Sequence, residues 1–116
     1  MKTHVIVRLQ VDGLHNFPAA SELFPEVGFL SVMHRHIFHI EASCAVTHTD
    51  RDKEFIMLKR DIQDYLRQMY YKPEMRTHMF GAMSCEAIAT EIQKQFDCVY
   101  VEVWEDLENG GKVEKE

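Results

Sequence analysis

The chain has 116 residues, 46% hydrophobic and 28% charged, a length and balance that suit one folded domain spanning 1–116 and leave little room for a second core. Nineteen acidic against thirteen basic residues give a formal charge of −6, and no lysine or arginine run is long enough to follow a phosphate backbone, which argues against nucleic acid as a partner. No apolar run approaches the roughly 18 residues of a membrane span, no apolar leader precedes the first alternating segment, and three cysteines without a CxxC pair suit a reducing compartment, so the expected location is the cytoplasm, away from any membrane.

From His4 to Asp12, Val5, Val7, Leu9 and Val11 alternate with polar residues, which predicts a half-buried strand. Asp12-Gly13 marks a bend after it. Asn16 to Gly28, with Pro18, Pro25 and Gly28, reads as an ordered covering loop, because Phe17, Leu23, Phe24 and Val27 are costly to leave in water. Period-two alternation returns from His34 to Thr47 and places His34, His36, Phe38, Ile40, Ala42, Cys44 and Val46 on one face. His39 points the other way and is read as structural or solvated.

Thr47 to Lys53 is a polar connection in which Asp50 or Asp52 could cap the next element. Phe55, Leu58, Ile62, Tyr65 or Leu66, and Met69 then recur at helical spacing, predicting a helix over about 54–70 closed off by Pro73. Ser84 begins a second helix as a capping hydroxyl, with Glu86 in its first turn, a Met83/Ile88 staple and a buried stripe of Ile88, Ile92 and Phe96. Cys98 to Glu105 alternates as a strand, Asn109-Gly110-Gly111 signals a turn, and Lys112 to Lys115 adds a short charged edge strand. Two helices beside a sheet of three or four strands make an α+β domain, whose uncovered edges favour edge-to-edge assembly. Cys44, Cys85 and Cys98 are read as small buried hydrophobes.

Seven histidines are many for this length, and four fall between 34 and 48. His34-x-His36 sets two imidazoles on one strand face, roughly 6 to 7 Å apart by the rise per residue, close enough to converge on one ion. Zinc asks for a third protein ligand, and His15, just past the Gly13 bend, can return toward the second strand. The expected triad is His15, His34 and His36. Generic HxH pairs are as often satisfied core histidines. The Glu105-Asp106 pair ends a strand where a carboxylate could accept two donors from an amidine-like ring edge, as in guanine or pterin recognition. Candidate proton-transfer groups are His48 with Asp50, before the first helix, and His78, between the helices.

These residues resemble a known family. His34-Arg35-His36-Ile37-Phe38-His39-Ile40 resembles the HGH strand of the 6-pyruvoyl- and 6-carboxy-tetrahydropterin synthases. Glu54 to Lys59 is similar to their Asp-Phe-x-x-Leu-Lys helix start, Ser84 to Ala89 to their Pro-Thr-x-Glu-x-x-Ala helix start, and Val101 to Glu105 to the strand ending in their Glu-Thr. The four landmarks keep the family's order over nearly the whole chain.

The resemblance implies a tunnelling fold, an antiparallel sheet with two helices on one face, joined through its sheets into a homo-oligomer that is a hexamer if family-like. It implies zinc on His34, His36 and His15 or a neighbour, and a pterin or purine-like ring held by Glu105 with Ser84. The activity implied is that of a zinc-dependent carbon-oxygen or carbon-carbon lyase. The chain also departs from the pattern. Aligning Phe17 to Ser21 with the family's Phe-x-Ala-Ala-His puts Ser21 at the first ligand. Arg35 replaces the central glycine of HGH, Phe29 to Met33 contains no catalytic cysteine, and Glu74 and His78 stand only loosely for an Asp-His pair. The alternative expectation is a non-catalytic pterin- or purine-binding or structural module on the same fold.

Overall fold

The computed structural model describes residues 1–116. Its elements are β1 (Thr3–His15), α1 (Ala20–Leu23), a 3₁₀ segment (Pro25–Ser31), β2 (His34–Val46), α2 (Phe55–Tyr70), β3 (Tyr71–Lys72), β4 (Thr77–Gly81), α3 (Cys85–Phe96), β5 (Tyr100–Glu105) and β6 (Asn109–Glu114). They build a mixed α+β fold around one six-stranded sheet of order β3-β4-β1-β2-β5-β6. β1 and β2 pair antiparallel along thirteen residues, from Thr3 opposite Val46 to His15 opposite His34. All other pairs are antiparallel except β1 with β4, which run parallel from Gly13 to His15, so the sheet is not purely antiparallel as expected.

The alternation sorts the sheet into two faces. Val7 and Leu9 of β1, Phe38, Ile40, Ala42 and Cys44 of β2, and Val101 and Val103 of β5 are buried in one core with Leu58, Ile62 and Leu66 of α2 and Ile88, Ala89 and Ile92 of α3. Both helices therefore cover the same face. Glu54, rather than Asp50 or Asp52, caps α2, its carboxylate accepting from Ile56 N at 2.8 Å. Asp52 instead accepts from the amide and hydroxyl of Thr47. Ser84 caps α3, with its Oγ accepting from Ala87 N at 3.1 Å.

Two local expectations fail for steric reasons. Gly13 is no bend; β1 runs through it to His15, and a Cβ there would stand 2.5 Å from the Phe80 ring, so the glycine lets Phe80 cross the strand. The final hairpin reverses at Asp106 and Leu107, both at positive φ, and not at Asn109-Gly110-Gly111, which lies inside β6. In the segment between β1 and β2, Phe17 and Val27 are partly covered, whereas Leu23, Phe24, Phe29 and Val32 are exposed. β1 has a second strand neighbour only at its end, leaving Thr3 to Asp12 as a largely open edge. No helix is long and apolar enough to cross a membrane.

Candidate metal centre

Register brings three histidines together. His34 and His36 share the core-facing side of β2, and His15, the last residue of β1, lies directly opposite His34. Their rings meet edge to face, with centroid separations of 4.6 Å (His15–His34), 5.3 Å (His15–His36) and 5.0 Å (His34–His36). One potential ligand atom from each lies within 4.8 Å of the others. Nitrogens bound to one ion at zinc distances stand about 3.3 Å apart, so closing the set asks each ring to move by less than about 1 Å.

The second ring nitrogens fix the tautomers. His15 Nδ1 donates to the Met83 carbonyl at 2.9 Å, His34 Nδ1 to the Val32 carbonyl at 2.8 Å, and His36 Nδ1 to Asp106 Oδ2 at 2.7 Å. Each partner is an oxygen acceptor, so Nδ1 carries a hydrogen and Nε2 is the nitrogen left to face an ion, the orientation outer partners impose on metal-ligating imidazoles. Asp106 is itself fixed by Ile37 N–H at 2.9 Å. The His36 hydrogen bond, followed by that amide, holds its carboxyl below the usual aspartate range. Core histidines kept for packing have both nitrogens satisfied; here the Nε2 atoms of His15 and His36 are buried with no hydrogen-bond partner. The donor set and these two orphaned atoms fit a metal ion.

Beside the triad is a cavity of about 460 Å³, lined by His15, His34, Phe17, Leu30, Met83, Ser84, Cys85, Glu86, Glu105 and Asn109 among others. That volume lies in the range of small-molecule sites. Glu105, on β5 opposite Phe38, also lines the cavity, with Oε2 2.9 Å from His15 Nε2 and Oε1 3.6 Å from His36 Nε2. Cys85 adjoins it, and burial followed by the Glu105 charge pushes this thiol up to about 12. A larger groove, of about 730 Å³, crosses the opposite face of the sheet, where Arg8 pairs with Glu41 at 2.6 Å and Trp104 Nε1 donates to Glu102. Half-buried His39 lines that groove.

The proton-transfer candidates lie elsewhere. His48 and Asp50 occupy the turn after β2, at the opposite end of that strand from His34, where the Asp50 amide donates to His48 Nδ1 at 3.2 Å and His48 Nε2 faces Asp52. His78, on β4, is buried against Phe80 and Tyr71 and donates from Nδ1 to the Asp12 carbonyl at 3.0 Å. This chain's fold brings none of the three to the triad's cavity. Ser21 is exposed on α1, and its hydroxyl donates to the Gly28 carbonyl, so it occupies no ligand position.

Burial is the main cause holding both His15 and His78 below the ordinary histidine value of 6.5. The unfolded chain therefore takes up protons that the folded one resists, and metal-free protein is expected to lose stability as the pH falls below about 6.5. Urea midpoints at pH 7.5 and 5.5 check this: the lower pH should give the lower midpoint, and equal midpoints would contradict it.

No family model and no curated protein matches the chain.

Proposed function

We propose that the protein is a divergent zinc-dependent relative of the 6-pyruvoyl- and 6-carboxy-tetrahydropterin synthases, with a tunnelling fold, acting as a lyase on a pterin or purine-like substrate. The carrying observation is the pair of buried, partnerless Nε2 atoms on His15 and His36, converging with His34 at the wall of a ligand-sized cavity. Three imidazoles with no protein thiolate suit zinc, and a bound zinc ion would supply a Lewis acid for substrate oxygens. Phe17, Leu30 and Met83 offer apolar surface to a flat ring, and Ser84, Glu86, Glu105 and Asn109 offer polar edges. The open edge of β1 and the outer strand β6 suit self-association through the sheet, in a hexamer if family-like.

A second reading has its own support. Because His48, Asp50 and His78 all lie away from the cavity, the same site could bind its ring without turnover. Incubating zinc-loaded protein with dihydroneopterin triphosphate, followed by mass analysis of bound and released species, separates the two. A zinc-dependent converted product is expected for the lyase; retained but unconverted pterin supports the binding module. Neither binding nor conversion would overturn both.

A further inference from the structure

We propose that Glu105 is a fourth protein ligand of the His15/His34/His36 centre, closing it as a three-histidine, one-carboxylate site in the resting protein. The inference rests on the metal reading above and changes what the site offers a substrate. Three adjacent strands deliver the donors: His15 from β1, His34 and His36 from β2, and Glu105 from β5, all on the core-facing side.

The distances fit. The edge of a tetrahedron of nitrogen and oxygen ligands around zinc is about 3.3 Å. The two Glu105 oxygens stand 2.9 Å from His15 Nε2 and 3.6 Å from His36 Nε2, on either side of that value. Neither approach is a hydrogen bond, since both nitrogens are without a partner. The Nδ1 atoms of those two rings are engaged by Met83 and Asp106, which leaves Nε2 as the nitrogen facing Glu105. The carboxylate thus faces two ring nitrogens across ordinary ligand-to-ligand distances, with no hydrogen bond between them, and one cation could be shared by all three groups. The only basic side chains within 4 Å of the carboxylate are these two histidines. Glu105 lines the cavity beside Cys85, and each of its oxygens also lies within 4 Å of an imidazole nitrogen. With Glu105 held on the ion, an oxygen-bearing substrate would have to displace it, which would leave that carboxylate free for the ring.

The test uses the full chain loaded with cobalt(II), whose visible spectrum reports coordination number, titrated with azide as a probe for an exchangeable position. Wild type is expected to show the intense bands of a four-coordinate ion and no azide-dependent change. Glu105→Ala should bind cobalt at least about 10-fold more weakly, since even outer partners of a metal ligand are worth 10- to 100-fold. Its spectrum should now shift with azide. Glu105→Gln keeps the side-chain volume and removes the charge, so it carries the same comparison if the alanine variant does not fold. An azide response in wild type, or unchanged affinity and spectrum in the folded variant, overturns the fourth-ligand assignment and leaves the three-histidine centre standing. Failure of wild type to take up cobalt or zinc at all overturns the metal reading itself, and the assignment with it.

Discussion

His36→Ala is expected to reduce zinc content from one ion per chain to an undetectable level, with His15→Ala and His34→Ala doing the same. Each substitution removes one of the three histidine donors, a loss exceeding the 10- to 100-fold typical for their outer partners, so an affinity decrease of more than about 100-fold should follow in each. Competition with a chromophoric chelator reads it directly. The wild-type protein should also gain thermal stability on adding zinc, by about 2.7 kcal/mol at a free concentration 100 times the Kd, on the order of 10 °C for a chain of this size. The three variants should gain nothing. His39→Ala and His48→Ala remove imidazoles outside the triad and should keep both stoichiometry and stabilisation. Full zinc occupancy in His36→Ala would end the metal reading.

Phe38→Ala should produce the largest loss of stability of any single truncation near the site. The ring is 0% exposed and lies under the centre, edge to face with His15 at 5.1 Å, His36 at 5.8 Å and Phe80 at 5.2 Å. Truncating a buried phenylalanine costs about 3–5 kcal/mol, a large share of the 5–15 kcal/mol that holds a domain folded. Here the void would also remove the floor on which two imidazoles are oriented, so metal affinity should fall together with the urea midpoint. A loss below about 1 kcal/mol would mean that the neighbouring rings collapse into the space. Phe38→Leu, which leaves a smaller void, should retain most of the stability and bind zinc more weakly than wild type.

The parts of this fold legible in the sequence are those governed by local periodicity. Val5 to Val11, His34 to Val46 and Val99 to Val103 alternate because one face meets the helices, and the stripe Leu58, Ile62 and Leu66 marks the face that α2 buries. The same periodicity puts His34 and His36 on one side. What escaped were contacts set by other parts of the chain. β3 has two residues and β4 five, too short for alternation to stand out, and their junction with β1 is a parallel pairing across more than sixty positions. Gly13 is locally a turn signal, and only the Phe80 ring lying across it explains its place inside a strand. His78 reads as a candidate proton-transfer group because nothing nearby in sequence reveals that Phe80 and the Asp12 carbonyl enclose it. Glu105-Asp106 was visible as an acidic pair, but its orientation of His36 depends on the hairpin reversal at Asp106.

The triad sits at the terminal rung of the thirteen-residue β1–β2 ladder. Sliding one strand past the other by a single position would turn every side chain of the moved strand to the wrong side, parting His15 from the other two. An ion held by all three histidines would therefore need the correctly threaded pair, and would in turn pin that alignment across the eighteen residues between His15 and His34. The metal would serve as a proofreader of strand assembly, rewarding one alignment among many before any substrate arrives.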